Sequence, residues 1–356
     1  MSERATSLCE TPTVESDNAR ATVTVVVVAY GAEPWLERSV RAVLGSSDVI
    51  ADVVLVDNGC TDGAVDRLDG AAGVTVVRPG GNTGFAGGCN AGAAVATGTF
   101  LALVNPDAIV EPDALAALAR VAARADVGIA TASIRLADEP ELLNSAGNEI
   151  HCTGVSWSGS FKEKASDHDE QRPAMAASGA GMMMQRSRWN DLGGFDPVFF
   201  AYYEDADLSV RSWQRGWQVV YVPEAVVLHR YEFSRRAEKF FLLERNRMLL
   251  VLSCYATRTL LLLSPLLAVV DGGFLLLAIR EGWWRQKLRS WRWLVANRRT
   301  IAARRREVQA ARVVPDRELA HLFSDDLLPG NYAAPPGWSH VNRVVRGYWH
   351  AVRPRV

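Results

Sequence analysis

Residues 23–29, Val-Thr-Val-Val-Val-Val-Ala, form an apolar, β-branched run without polar alternation, as expected of a parallel strand buried on both faces. A helical spacing follows over 34–43, so the chain opens with a βα unit. The alternation then repeats: strand 53–56, a short helix near Ala64, strand 74–77, helix 88–96, strand 100–104, helix 112–123 and strand 128–132. This order predicts an α/β domain whose mostly parallel sheet carries helices on both faces. Over 151–173 the periodicity gives way to Gly, Ser and charged residues, which reads as a loop over the sheet. A second block starts at 179–185 and continues through a helix over 205–216 and short strands at 219–222 and 225–228. From 235 onward the pattern is helical.

These segments divide the 356 residues into a disordered polar tail (1–20), an α/β domain (21–234, with halves at about 21–135 and 136–234), a basic, apolar helical extension (235–312) and a C-terminal tail (313–356). The tail at 1–20 has no apolar run and resembles neither a signal peptide nor an anchor. Five cysteines, Cys9, Cys60, Cys89, Cys152 and Cys254, lack any CxxC or ligand-like spacing, which fits reduced thiols in a cytoplasmic compartment.

A net charge of −1 conceals a segregated distribution, because residues 230–312 hold 18 Arg and Lys against 6 Asp and Glu. Such a block suits nucleic acid or anionic lipid, and its neighbours favour lipid over nucleic acid. Residues 259–270 are nearly all aliphatic around Pro265, 274–279 are apolar, and Trp283, Trp284, Trp291 and Trp293 interleave with Arg285, Lys287, Arg289 and Arg292. That combination is an interfacial signature. Asp271, Gly272 and Gly273 interrupt the apolar run, so peripheral attachment to the inner face of the membrane is preferred to a spanning helix. The alternative is a buried helical hairpin, or the seam of a homo-oligomer.

In open α/β sheets ligands bind beyond the carboxyl ends of strands. After the first strand comes Ala29-Tyr30-Gly31, whose ring can lie against a base. After the second comes Asp57-Asn58-Gly59-Cys60-Thr61-Asp62, where Asp57 can accept from the imide N–H of uracil or thymine; turn chemistry accounts for the same residue types. After the third, Gly80-Gly81-Asn82-Thr83-Gly84-Phe85-Ala86-Gly87-Gly88 offers backbone amides to phosphate or ribose, or is a surface turn. Asn105-Pro106-Asp107 ends the next strand and supplies a carboxylate for a Mg²⁺ or Mn²⁺ ion on a diphosphate, although the same residues also suit a turn. GxGxxG after the first strand and GxxxxGK[ST] anywhere are both missing.

The densest constellation is Phe195-Asp196-Pro197-Val198-Phe199-Phe200-Ala201-Tyr202-Tyr203-Glu204-Asp205-Ala206-Asp207-Leu208, with Arg211 and Gly216 beyond it. Acidic residues suit a helix N-terminus on dipole grounds, but capping does not account for so many aromatics. Aromatic walls exclude water around a carboxylate that must take a proton from a hydroxyl. His229 ends a short strand and is a candidate metal ligand.

In this order the motifs resemble family 2 of the inverting glycosyltransferases, which has the GT-A fold, and especially its bacterial rhamnosyltransferase-type members. The likeness spans roughly 22–247 and rests on Asp57-Asn58-Gly59, Asn82-Thr83-Gly84-Phe85-Ala86-Gly87-Gly88, Asn105-Pro106-Asp107, and Glu204-Asp205-Ala206-Asp207-Leu208 with Arg211 and His229. It implies a donor site of Ala29, Tyr30, Asp57, Asn82, Gly84 and Asp107, with Tyr30 and Asp57 on the nucleobase. Asp107 and His229 would hold the metal, Asp205 would be the catalytic base, and Glu204, Trp157, Asp207 and Arg211 would shape the acceptor side. The resemblance further implies a nucleotide-sugar donor, dTDP-rhamnose or a UDP-sugar, and a lipid-linked or cell-envelope glycan acceptor. Two departures stand out: Asn105 occupies the place of the first acid of the family's DxD motif, and Cys60 that of a more familiar Ser. Nucleotidyl transfer and nicotinamide chemistry are disfavoured, because Ala29-Tyr30-Gly31-Ala32-Glu33 is neither of their loops; a non-catalytic nucleotide-sugar-binding scaffold at the membrane is the alternative from another class.

Overall fold

The computed structural model describes residues 20–231, 237–327 and 338–356. The tail assigned to 1–20 therefore lies outside the described residues apart from Arg20, as does the boundary at 234. Strands β1 (Ala21–Gly31), β2 (Val49–Cys60), β3 (Val74–Val77), β4 (Phe100–Val104), β5 (Ala108–Val110), β6 (Val127–Leu136), β7 (Glu139–Ser145), β8 (Asn148–Ile150), β9 (Ser156–Ser158), β10 (Arg172–Pro173), β11 (Gly181–Gln185) and β12 (Gln218–His229) occur in the α/β part. Ten of them build one sheet in the order β10-β12-β6-β11-β4-β1-β2-β3, with β5 on β12 and β7 on β6. β1 runs parallel to β2 and β4, and β12 to β6, whereas β11 is antiparallel to both β4 and β6. The apolar run of β11 reports burial and carries no direction, which is why its reversal was not legible.

Alternate side chains of β1 enter two cores, as strand geometry requires. Val23, Val25 and Val27 meet α1 (Leu36–Leu44), α2 (Ala64–Leu68) and α4 (Ala114–Ala122). Val26 and Val28 meet α3 (Gly84–Val95), and the same core takes in α5 (Arg186–Leu192) and α6 (Glu204–Gln214). Helix α3 begins at Gly84, four residues before the expected start, because Asn82 Oδ1 accepts from the Gly84 N–H at 2.9 Å and organises the entrance. The segment read as a loop over 151–173 is partly ordered: β9 pairs antiparallel with β8.

Beyond the sheet, α7 (Ala237–Cys254), α8 (Thr257–Glu281), α9 (Trp284–Ala296), α10 (Arg298–Ala310), α11 (Asp316–Leu319) and α12 (Trp338–Val352) form a helical layer around a third core. Within 313–356, helices α11 and α12 belong to this layer. Asn342, Val345 and Trp349, at helical spacing, are the buried face of α12.

Helix α8 runs unbroken through Pro265, Gly272 and Gly273. Proline removes the N–H that would bond the Leu261 carbonyl, and the Ser264 hydroxyl donates to that carbonyl instead, at 2.9 Å. Asp271 faces inward to Arg247, Lys287 and the Trp291 Nε1–H. The tryptophan pattern is therefore divided: Trp283 is buried and stacks on Phe240 at 4.8 Å, Trp291 donates to Asp271 and Trp293 lies against Arg245, whereas Trp284 is exposed. What α8 does present outward is an aliphatic stripe, with Leu261 and Leu276 each 70% exposed and Val269 66% exposed.

Candidate active site

Register brings the metal candidates together. β12 pairs with β5 so that His229 lies opposite Ala108, next to Asp107, and the His229 Nε2 to Asp107 Oδ1 distance is 3.3 Å. His229 Nδ1 faces Asn144 Oδ1 at 2.8 Å, which fixes the ring so that Nε2 faces Asp107 and, at 3.4 Å, Asn105 Nδ2. One carboxylate and one such imidazole nitrogen fit a hard or borderline cation whose remaining ligands are substrate oxygens and water. Among the described residues no group of three or more His, Cys, Asp and Glu is placed to hold a metal by protein ligands alone.

His229 and Asn105 line a cavity of about 600 Å³ that also contains Glu204, Asp205 and Trp157. Asp205 stands at the start of α6, where Oδ2 accepts from Gly179 N–H at 3.0 Å and Oδ1 from Ala206 N–H at 2.7 Å. Burial pushes its carboxyl above the usual range, partly offset by those two donors. The Glu204 carboxyl is also pushed up, by burial and then by the Asp205 charge, and its buried Oε2 has no hydrogen-bond partner. Of the two carboxylates, Asp205 is the one held by backbone N–H donors that favour its ionised form.

The segment before α6 is strained, with φ of +64° at Phe200, +66° at Tyr202 and +72° at Tyr203. It is clamped from α7: Asn246 Nδ2 donates to the carbonyls of Phe199, Ala201 and Tyr202 at 2.9, 2.9 and 2.6 Å. Nothing in the sequence pattern marks Asn246, which lies more than 40 residues further along the chain.

The donor candidates form a neighbouring ledge outside this cavity. Ala29 pairs with Asp57 in the sheet register, Tyr30 is 56% exposed, and its ring packs beside Gly59. Asp57 Oδ1 caps the turn through Gly59 and Cys60 N–H, while Arg78 stands 3.8 Å from Oδ2. Asn58 ties this turn to the glycine loop, donating to Asn82 Oδ1 and Gly84 O and accepting from Thr83 N–H. Glu33, absent from the sequence reading as a site residue, has its carboxyl pushed up to about 7, first by burial and then by the charge of Asp107.

Ledge and cavity meet at Gly84. Its φ is +74°, and a Cβ there would stand 2.2 Å from the Phe200 carbonyl oxygen. Gly84→Ala is expected to cost at least ~1 kcal/mol of stability from the left-handed backbone alone. It should also displace the Phe200 loop, so thermal unfolding and turnover should both fall; an unchanged midpoint would show that the two segments yield freely.

Asp207 and Arg211 are a correction. The resemblance places both on the acceptor side, yet neither is among the residues that line the cavity. Asp207 is fully buried between Arg211, at 2.8 Å, and Arg304 of α10, at 2.6 Å. Arg211 also donates to Gly194 O, so the pair pins α6 to its surroundings. Their i, i+4 spacing is an ordinary intrahelical ion pair, a signal already present in the sequence.

Residues 19–248 match the profile of Glycosyltransferase like family 2. The chain belongs to this glycosyltransferase family. Within it, the chain is 30% identical over 233 residues to N-acetylglucosaminyl-diphospho-decaprenol L-rhamnosyltransferase of two Mycobacterium tuberculosis strains, CDC 1551 / Oshkosh and H37Rv, covering 58% of this chain and 75% of the relative. Two solved glycosyltransferase structures share its fold. One is GalNAc-T7 with UDP, GalNAc and Mn²⁺, with a TM-score of 0.53 and 20% identity over 61% of this chain and 44% of that one. The other is the mannosyltransferase PcManGT of Pyrobaculum calidifontis with GDP-Man and Mn²⁺, with a TM-score of 0.50 and 17% identity over 94% and 87%. The fold of this glycosyltransferase is accordingly GT-A, with a helical C-terminal layer.

Proposed function

We propose that this family 2 glycosyltransferase moves a sugar from a nucleotide diphosphate donor to a hydroxyl of a lipid-linked or cell-envelope glycan, with inversion at the anomeric carbon. The observation that carries this reading is the cavity itself. A half-buried carboxylate held by two backbone N–H groups shares it with the imidazole that touches Asp107.

The base lies on the ledge of Tyr30 and Asp57, with Asp57 accepting from its imide N–H, and Asn82 and Gly84 fix the ribose side. Asp107 and His229 would hold Mg²⁺ or Mn²⁺, which when bound supplies Lewis-acid stabilisation of the departing diphosphate. Asp205 takes the proton from the acceptor hydroxyl as its oxygen attacks the anomeric carbon. Glu204 lines the cavity beside it and shapes the acceptor side. Trp157 and Tyr202 exclude water and so limit donor hydrolysis. Among donors, dTDP-rhamnose comes first because the Mycobacterium tuberculosis relatives are rhamnosyltransferases, with UDP-sugars next. The aliphatic outer stripe of α8 supports attachment to the inner face of the membrane.

The test is a panel of nucleotide sugars with and without Mn²⁺ or Mg²⁺, scoring nucleotide diphosphate release in the presence of lipid extract. One donor should be consumed in an acceptor-dependent manner, and chelation with EDTA should lower the rate. No release with any donor, lipid and metal would overturn the enzymatic reading.

A further inference from the structure

Backbone strain in this protein is concentrated where the chain enters α6. Among the described residues six non-glycine residues have positive φ, and three of them, Phe200, Tyr202 and Tyr203, stand within four positions. Phe200 adopts φ +64° and ψ −64°, and Ala201 N–H donates to Phe199 O across it at 2.7 Å, a γ-turn of the rare, strained hand. Tyr203, left-handed as well, delivers the chain directly into α6, of which Asp205 is the second residue. L-residues relax out of such conformations unless their surroundings over-determine them.

Two adjacent residues of α7 supply the hold. Arg245 Nη2 donates to the carbonyls of Val198 and Phe199 at 2.9 and 2.7 Å, and Arg245 Nε donates to Asn246 Oδ1 at 2.8 Å. With its oxygen taken, the Asn246 amide turns Nδ2 to the carbonyls of Phe199, Ala201 and Tyr202, on both sides of the γ-turn. The loop has other attachments: Phe200 O accepts from Ala86 N–H at 3.0 Å, and Tyr203 Oη accepts from Ser156 N–H at 3.1 Å. Those bonds fix where the loop lies against α3 and β9, whereas the amide fixes how its backbone turns. Asn246 is fully buried and does not line the cavity, so any effect it has on transfer passes through the loop.

We infer that Asn246 is a positioning residue for Asp205: its amide holds the strained loop 199–203 in the conformation that starts α6 with the Asp205 carboxylate on the Gly179 N–H and in the cavity. This rests on the reading of Asp205 as the base. An asparagine that only stabilised the fold would lower activity through the folded fraction, whatever residue stood at 205. One that positions the base loses its effect when the base is gone.

The experiment is a double-mutant cycle on the full chain, read as dTDP release from dTDP-rhamnose with lipid extract and, with no donor present, as hydrogen exchange at the Gly179 amide. Asn246→Ala should lower turnover by about 10²-fold, the loss that a displacement of ~1 Å produces at a reacting group. That penalty should disappear in the Asp205→Asn background. Exchange at Gly179, whose N–H is held by Asp205 Oδ2, should quicken in Asn246→Ala while the amides of β11 keep their protection. In a Phe200→Gly background the Asn246→Ala penalty should shrink several-fold, because glycine takes positive φ without steric cost. Should Asn246→Ala not fold, Asn246→Ser, whose hydroxyl replaces one of the two N–H donors, carries the same comparisons. An equal penalty in the wild-type and Asp205→Asn backgrounds, or unchanged Gly179 exchange in a folded Asn246 variant, overturns the proposal. Near-wild-type turnover of Asp205→Asn by itself would instead overturn the base reading, and the Gly179 exchange would still decide whether Asn246 sets the place of that side chain.

Discussion

Asp205→Asn is expected to lower turnover by about 10²–10⁴-fold, the usual contribution of a positioned general base, while nucleotide binding stays near the wild-type value. The amide keeps one oxygen to accept a backbone N–H, so α6 keeps its start, but it cannot take the acceptor proton. The ledge proposed for the donor is carried by other elements, and Tyr30, Asp57, Asn82 and Gly84 do not line the cavity that holds Asp205. The wild-type enzyme should lose activity on acidification with a midpoint above the ordinary carboxylate range near ~4, because burial raises the Asp205 pKa and the ionised form is required. The acid limb should vanish from the residual activity of the variant. Turnover within a few-fold of wild type would remove Asp205 from the role of base.

The second large effect falls on stability. Asp207→Ala leaves Arg211 and Arg304 buried without their shared carboxylate, and breaking a buried pair in this way typically costs about 3–5 kcal/mol. Burial alone would raise the Asp207 pKa, but the charges of Arg304 and Arg211 outweigh it and hold the group below the usual range. Its contribution to stability is therefore complete above pH ~4 and is lost as pH falls through the lower folded-state value. Urea unfolding should show both the loss at neutral pH and a weaker acid dependence in the variant. If Asp207→Ala unfolded like wild type but lost activity selectively, the residue would return to the acceptor side where its place in the motif had put it.

Asp207 and Asp205 illustrate how motif reading succeeds and fails. Both sit in Glu204-Asp205-Ala206-Asp207, but two residues along a helix is about 200° of rotation, so one carboxylate faces the cavity and the other the core. The pattern identified the acidic helix start; helix geometry and the arginine of a distant helix separated the roles. Likewise, the tryptophans and cations at 283–293 carry the pattern of an interface with lipid. Lys287 has no exposure because Glu244 and Asp271, from two other helices, neutralise it. Sequence shows which charges exist and leaves open which of them pair across elements.

By itself the sequence determined the α/β alternation and placed Asp107 and His229 at strand ends, with Asp57 near the carboxyl end of β2. Burial of a strand on both faces requires an unbroken apolar run, and ligand-facing groups then follow it directly. Only the tertiary structure decided the reversed direction of β11, the Asn246 clamp on a strained loop, and the single outward stripe of α8. Each depends on which distant element lies alongside, and that is settled by packing and pairing between segments, a property no local periodicity encodes.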